Sequence, residues 1–420
     1  MATINKAHKI RLYPTPEQEA YFRRAAGTRR FIYNWGLAEW QRQYAAFKAK
    51  QQPTPPTADS LKKEFNAIRD NEFPWTYEVT KCVVEGAFAD LGKAYKHFFA
   101  HIAKYPRFKR KGKSKDSLYI ANDKFVLQDH RIQVPVLGDF VVKQWELQGD
   151  KIVQRKQQKR ASGWVDMAEN LRFVTGHTPT AMEKPRHARK VVMCSRVKIL
   201  GATIGREADG WYASIQVEID QDIPAVVGPP VGIDLGFLRL ATLSTGKPFE
   251  NQKPLRRLLT QVSYLNKQLA RRKKGSKNFQ KTKQRLARLH HRIACMRDDS
   301  HHKISYELAE QFGFIGMEDL NVKGMLKNHK RALSAADASL GKLARYIETK
   351  AGRHGTTVQR VSRWFPSTKR CHRCHHEREI TEAERVYVCF NPDCGWSGDR
   401  DWNAAMNILE EALRLAGLVV

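Results

Sequence analysis

Residues 228–246 read GPPVGIDLGFLRLATLSTG. A Gly-Pro-Pro turn leads into an apolar run that carries one acid, Asp234, and a second β-type run follows. An ionisable group inside an apolar strand needs a partner. Two later segments repeat the exception. QFGFIGMEDL, residues 311–320, reads as an apolar strand ending in Glu318. GDRDWNAAMNILEEALRLAG, residues 398–417, reads as a closing helix opened by Asp399 or Asp401.

Singly, each acid has an ordinary explanation: a strand-end turn for Asp234, an ion pair for Glu318, a helix N-cap for Asp399 or Asp401. Their order is more informative. A strand with Asp, further strands, a basic helical stretch, a strand with Glu and a last helix opened by Asp is the order of an RNase H-like nuclease core. Clustered carboxylates repel one another unless cations neutralise them. Two Mg2+ (or Mn2+) ions about 4 Å apart would do so and would clamp the attacking water and the leaving oxygen of a phosphodiester.

Between the first two acids, residues 251–297 hold fifteen Lys/Arg and no Asp or Glu. Leu255, Leu259, Val262, Leu265 and Leu269 keep a helical period, as do Leu286, Leu289 and Ile293, so two basic amphipathic helices broken near Gly275 are expected. A soluble helical face normally mixes signs. This one, with Arg271, Arg272, Lys273 and Lys274 at the break, fits a phosphate backbone better. A helix over about 334–353 and a strand around 357–361 come next.

Cys371-x2-Cys374 and Cys389-x4-Cys394 lie 14 residues apart. Four thiolates so spaced suit one tetrahedral structural Zn2+ ion in a closed ribbon with no open position for water. Cys82, Cys194 and Cys295 stand alone and read as small buried apolar residues.

In the N-terminal half, residues 1–14 read as a strand. Thr15 with Gln18 has capping-box spacing ahead of a long helical stretch. QQPTPPT (51–57) breaks the pattern, and a second helix is expected from about 78 to 102. KYPRFKRKGKSK (104–115) carries seven Lys/Arg and no acid, with Tyr105 and Phe108 interleaved. It reads as a phosphate-contacting strip that includes Arg107, Lys109, Arg110 and Lys111. The runs IQVPVL, FVVKQW, KVVMCSRVKIL and WYASIQVEI suggest a β-sandwich or barrel, read here as a small barrel with the helical module inserted after its first strand.

A chain of 420 residues suggests two to four domains, and 41% apolar residues are enough for hydrophobic cores. A net charge of +31 argues against a neutral metabolic enzyme and for a polyanionic partner, nucleic acid first. No apolar run is long enough to span a bilayer, and residues 1–14 lack a signal-peptide core, so no membrane association is expected.

The segments KIRLYPTPEQ, YPRFKRKGK, GIDLG, RRKKGSKNFQKTKQRLARLHHRIACMRDDSHHKIS, GMEDLNVKGM, WFPSTKRCHRC and CGWSGDRDWNAAMNI, in this order, resemble TnpB, the family of transposon-encoded RNA-guided nucleases related to type V CRISPR effectors. The resemblance implies a multidomain α/β chain. A RuvC-like (RNase H-like) core carries an inserted zinc ribbon, and an oligonucleotide-binding-like wedge barrel is interrupted by a helical recognition module. The boundaries it implies are a wedge strand at 1–14, recognition domain at 15–116, wedge barrel at 117–227, nuclease core at 228–369, ribbon at 370–398 and last core helix at 399–420.

By the same resemblance the catalytic, Mg2+-holding acids are Asp234, Glu318 and Asp401, which leaves Asp399 outside. The ribbon ligands are Cys371, Cys374, Cys389 and Cys394. The implied partners are a guide RNA and target double-stranded DNA, with a monomer favoured over a homodimer and a prokaryotic, nucleoid-associated cytoplasmic setting. Reading of a short flanking DNA motif falls to the helix bearing Lys81 and Glu85, with Asn122 a further candidate because Asn can pair with adenine. Two features depart from the family pattern: four residues separate the second cysteine pair, and His375 stands where a glycine often follows the first. A compact type V CRISPR effector, a non-cleaving RNA-guided repressor and a DNA-joining transposase are the rival readings.

Overall fold

The computed structural model describes residues 2–128, 130–135, 144–148, 151–155, 163–168, 173–175, 192–194, 196–221, 223, 227–381 and 383–418. The chain divides into two compact units, Met1–Gln221 and Asp222–Val420.

The first unit opens with β1 (Ala2–Tyr13), followed by α1 (Pro16–Lys48), α2 (Ala58–Glu72) and α3 (Cys82–Phe99). Its later strands are β2 (Ser117–Ala121), β3 (Val126–Gln128), β4 (Arg131–Gln133), β5 (Gln144–Gln148), β6 (Lys151–Arg155), β7 (Trp164–Met167), β8 (Phe173–Thr175), β9 (Val192–Cys194), β10 (Arg196–Arg206) and β11 (Trp211–Gln221). Six of them join β1 in one seven-stranded antiparallel sheet in the order β2-β10-β11-β1-β7-β4-β3. Its end strands, β2 and β3, are joined only by the turn Asn122–Lys124, so the sheet curls around a shared core of Ile10, Ile120, Ile132, Val165, Ile204 and Ile215. This is the expected barrel, with the three helices inserted after its first strand. Parts of IQVPVL, FVVKQW and KVVMCSRVKIL lie outside the described residues.

The Thr15 capping box forms: Thr15 Oγ1 accepts from Gln18 N (3.3 Å) and Gln18 Oε1 accepts from Thr15 N (2.9 Å). The expected second helix is α3, and α2 is an addition the sequence reading did not make. Thr57 and Ser60 cap α2 reciprocally at 3.0 Å each way, and Leu61 and Phe65 bury its inner face. These meet Leu37 and Trp40 of α1 and Phe88 and Leu91 of α3 in a separate helical core.

The second unit runs β12 (Pro230–Asp234), β13 (Arg239–Leu243), β14 (Pro248–Glu250), α4 (Pro254–Arg257), α5 (Leu259–Arg271), α6 (Lys277–Gln311), β15 (Phe314–Glu318), α7 (Val322–Lys327), α8 (Ala332–Ala338), α9 (Leu340–His354), β16 (Thr357–Val361), β17 (Val386–Val388), β18 (Ser397–Asp399) and α10 (Arg400–Leu415). Its main sheet has the order β14-β13-β12-β15-β16, with the first three strands antiparallel and the last three parallel. That is the sheet of an RNase H-like core. One face (Val231, Ile233, Ile315, Met317) packs on Ile304 and Leu308 of α6 and Leu343 and Ile347 of α9. On the other face Phe314 and Val361 pack on Ile408 and Ala412 of α10.

The basic stretch is two helices, α5 and α6, parted at Gly275 with φ +86°. The single helix expected over 334–353 is broken at Ser339 (φ +50°) into α8 and α9. Cys82 is buried, whereas Cys295 is exposed on α6, with Sγ 3.5 Å from His291 Nε2, contrary to the expectation of a core residue. The side chain of Cys194 lies outside the described residues.

Candidate functional site

The parallel register sets Ile233 opposite Met317, so Asp234 and Glu318 follow as neighbours at the C-terminal ends of adjacent strands, roughly 5 Å apart at Cα. Strand periodicity assigns their face. Val231, Ile233, Ile315 and Met317 point to the α6/α9 side, so Gly232, Asp234, Gly316 and Glu318 point to the α10 side. The two glycines let α10 lie directly on the sheet. A methyl group at Gly232 would stand 2.1 Å from the Ala405 carbonyl oxygen and 2.7 Å from the Leu409 nitrogen; at Gly316 it would stand 2.6 Å from Ala412 Cβ. Asp401 sits one turn before Ala405, and Asp234 two residues beyond Gly232, so the helix brings the third acid to the same edge.

A polar chain fixes that placement. Gly232 N donates to Ser244 Oγ (3.0 Å), and Trp402 Nε1 donates to Ser244 O (2.8 Å). Asp399 is the N-cap of α10, accepting from the N–H groups of Asp401 and Trp402, and it pairs with Arg239 at 2.8 Å. Asp401 takes Arg400 Nη2 at 2.9 Å.

The electrostatics record the crowding. Burial first, then the charges of Asp401 and Glu318, push the Asp234 carboxyl up to about 7, against the pull of Arg400. Burial, then Asp319, push Glu318 up to about 7, against Arg363. Crowding and burial raise the proton affinity of these carboxylates, and hard oxygen donors gathered at one edge have the chemistry that suits a divalent cation such as Mg2+. The carboxylates share an edge without closing to common coordination distance. Among the described residues, the group gathered to that distance is the four cysteines.

Cys371, Cys374, Cys389 and Cys394 place their sulfurs within 4.8 Å of one another. The Cys371–Cys394 separation is 3.9 Å and the Cys374–Cys389 separation 3.4 Å. A disulfide needs about 2.05 Å, whereas four Zn–S bonds of about 2.3 Å imply tetrahedral edges of roughly 3.8 Å. The cluster can hold zinc. Gly395 and His375 each follow the second cysteine of a pair, at φ +56° and +62°. His375 therefore adopts the left-handed turn that a glycine would take more cheaply.

Asn403 and Asn407, which sequence reasoning missed, tie this ribbon to α10. Asn403 Oδ1 accepts from His372 N (3.0 Å), and the amides of Asn403 and Asn407 both donate to Arg370 O, at 2.7 and 2.6 Å. Their spacing of four in DWNAAMN, on one helical face, was the available signal.

The residues expected to meet nucleic acid are distributed unevenly. Lys81 and Glu85 are exposed at the start of α3 and form no ion pair with each other. Asn122 is exposed in the next turn, where Glu85 raises the pKa of Lys124 alongside its main partner Asp123. Arg107, Arg110 and Lys111 are exposed, but Lys109 turns inward, 3.0 Å from Asp90 and 3.8 Å above the Tyr33 ring. Arg271, Lys273 and Lys274 are exposed, whereas Arg272 closes the α5–α6 turn by donating to Asn278 O (2.6 Å) and Thr282 Oγ1. No helix among the described residues is long and apolar enough to cross a membrane.

Comparison with known proteins adds three family matches: "Probable transposase" over residues 214–329, "Helix-turn-helix domain" over 1–49, and "Cas12f1-like, TNB domain" over 341–408. The second description does not fit the shape found here, since 1–49 is β1 and one continuous helix. A protein of Streptomyces pristinaespiralis named "Putative RNA-guided DNA endonuclease" is 29% identical over 98% of this chain and 90% of its own length. A "TnpB-like protein" of Acanthamoeba polyphaga mimivirus is 34% identical over 33% of this chain and 27% of its own. Among solved structures, Cas12f1 in complex with guide RNA and target DNA matches with TM-score 0.55 and 16% identity, over 97% of this chain and 98% of that one, which speaks for a shared fold.

Proposed function

We propose that the chain is a TnpB-type RNA-guided DNA endonuclease, a reading supported by its matches to the transposase and Cas12f1-like TNB family models and to a relative named as such an endonuclease. The observation that carries this reading is the convergence of Asp234, Glu318 and the first turn of α10 on one sheet edge, in a chain of net charge +31. Pairing between guide and target supplies the sequence, and the protein binds backbone and a short flanking motif.

Asp234, Glu318 and Asp401 would hold two Mg2+ ions. When bound, the pair supplies a metal-activated water and charge neutralisation at the scissile phosphate. The chain's own contribution is placement. The two strand ends fix Asp234 and Glu318, the Gly232–Ser244–Trp402 chain fixes the start of α10, and Asp399 caps that helix so that Asp401 faces the edge. Arg400 offsets part of the negative charge before cations arrive. Zinc in the ribbon has no open position, so its role is to hold the ribbon against α10 through Asn403 and Asn407.

In this reading the exposed bases of 104–115 and 271–274 contact guide and heteroduplex phosphates, and Lys81, Glu85 and Asn122 face the flanking duplex. The protein acts as a monomer on nucleoid DNA in a prokaryotic cytoplasm. With all three acids present, a repressor that binds without cutting is disfavoured. Whether the guide comes from a transposon end or a CRISPR array is decided by the DNA beside the gene.

The test is to purify the protein from cells carrying its native flanking DNA and to sequence the co-purifying RNA. A matching plasmid library with randomised flanks is then challenged with Mg2+, beside Asp234→Ala. Guide-dependent cutting lost in the variant is the expected result. Bound RNA with no cutting by either protein would favour the binder, and joined DNA ends without specific RNA would favour a transposase.

A further inference from the structure

Trp364 is 86% exposed, the most exposed aromatic side chain among the described residues. Its backbone is tied into a turn: Trp364 N donates to Ser362 Oγ (3.3 Å), Phe365 N to Ser362 O (3.0 Å) and Ser367 N to Phe365 O (2.8 Å). The neighbouring Phe365 packs inward against Phe314, Val361, Ile408 and Ala412, which anchors the turn to α10 and the sheet. The indole is therefore held in solvent by a fixed turn, where burying it elsewhere would release apolar surface from water.

The turn lies beside the carboxylate edge. Glu318 pairs with Val361 in the parallel register, and Asp319 N donates to Val361 O at 2.9 Å. Arg363, the residue before the tryptophan, pairs with Asp319 and lowers the proton affinity of Glu318. An exposed aromatic face next to an arginine and three residues past the position opposite a metal-binding acid has the make-up of a platform for single strands. Stacking provides the affinity there, and cations track the backbone.

Resting on the endonuclease reading above, we propose that Trp364 stacks on a nucleobase of the single-stranded DNA that reaches Asp234, Glu318 and Asp401, and so sets the scissile phosphate against them. It is a positioning residue and does not touch the reacting atoms.

The experiment compares guide-loaded wild type, Trp364→Ala and Trp364→Phe in single-turnover cleavage, with target binding measured in parallel. Trp364→Ala should slow cleavage about tenfold, Trp364→Phe should stay within about threefold, and target binding should be unchanged, as expected for one lost stack. Where wild type cuts, equal cleavage by Trp364→Ala overturns the proposal. So does equal loss in Ala and Phe variants, or a loss of target binding that accounts for the slower cutting. A second measurement does not depend on cutting. A single-stranded oligodeoxynucleotide carrying 5-iododeoxyuridine is photocrosslinked to the guide-loaded protein and the adduct mapped by mass spectrometry. An adduct on Trp364 supports the stack even if wild type fails to cut, which would sink the endonuclease reading alone. Adducts confined to other residues overturn the stack.

Discussion

Asp399 Oδ1 accepts the backbone N–H of Asp401 at 2.9 Å, so the first acid of the Asp-Arg-Asp run caps the helix that delivers the second. The two aspartates thus have separable duties. Asp399→Asn keeps a good capping oxygen and should cut within a few-fold of wild type. Asp399→Ala should cost about 1 kcal/mol of stability and slow cutting further. Asp401→Asn should abolish cutting with little change in melting temperature. Paired melting and cleavage assays check this, and an Asp399→Asn protein as inactive as Asp401→Asn would refute it.

Asp234 and Glu318 have folded-state pKa values of about 7, above their ordinary 3.8 and 4.5. A carboxyl raised in this way favours the fold while neutral. Its contribution is fully present below about pH 4 and is lost as pH rises through about 7. Metal-free wild type should therefore lose melting temperature from pH 4 to pH 7 relative to Asp234→Asn, which does not ionise. At pH 8, Mg2+ should raise the wild-type melting temperature by several degrees and leave Asp234→Asn nearly unmoved. Protons and cations compete for the same oxygens, so half-maximal cleavage should need more Mg2+ at pH 6 than at pH 8. A Mg2+ requirement that does not change with pH would contradict the placement of these acids.

The nuclease core was legible because its rules are local. Apolar strands broken by single acids, a Gly275 break and a four-cysteine spacing all survive without three-dimensional context. Gly232 and Gly316 were visible as letters, but the reason for them, a helix backbone lying on the sheet two residues before each acid, exists only after long-range packing. The same applies to Lys109 and Arg272. In sequence they belong to charge runs, yet Asp90 and the Asn278 carbonyl give them structural partners. Helix α2 was missed because the prolines before Thr57 outweighed a Thr/Ser cap and only two fully buried apolar anchors.

The ribbon's small core is Cys371, Cys389 and Tyr387, too little to fold alone. Chelation of zinc should melt it, and through Asn403 it should disturb the start of α10. Asn403→Ala should retain one zinc per chain, because it removes no sulfur, yet leave the His372 N–H without its partner at a cost of about 1–3 kcal/mol. Metal analysis, melting and cleavage on the same sample check the order: Cys374→Ser loses zinc and cutting, while Asn403→Ala keeps zinc and cuts slowly. Full activity in Asn403→Ala would show that the ribbon acts independently of α10.

The basic strip gives the sharpest contrast between neighbours. Burial lowers the pKa of the Lys109 ammonium against the pull of Asp90, and Asn34 brackets its peptide, donating to Lys109 O at 2.9 Å and accepting from Lys109 N at 2.8 Å. Lys109→Ala should lower the melting temperature by several degrees and change RNA affinity only as far as the loop loosens. Arg107→Ala, Arg110→Ala and Lys111→Ala should leave melting unchanged. Each should weaken RNA binding and reduce the slope of log affinity against log salt by about one for every phosphate no longer neutralised. Binding isotherms at several salt concentrations, set beside melting curves, separate the two effects. If Lys109→Ala flattened the salt slope as much as Arg110→Ala without loss of stability, the inward-turned lysine would have to swing out to bind phosphate, and its pairing with Asp90 would be a resting state rather than an anchor.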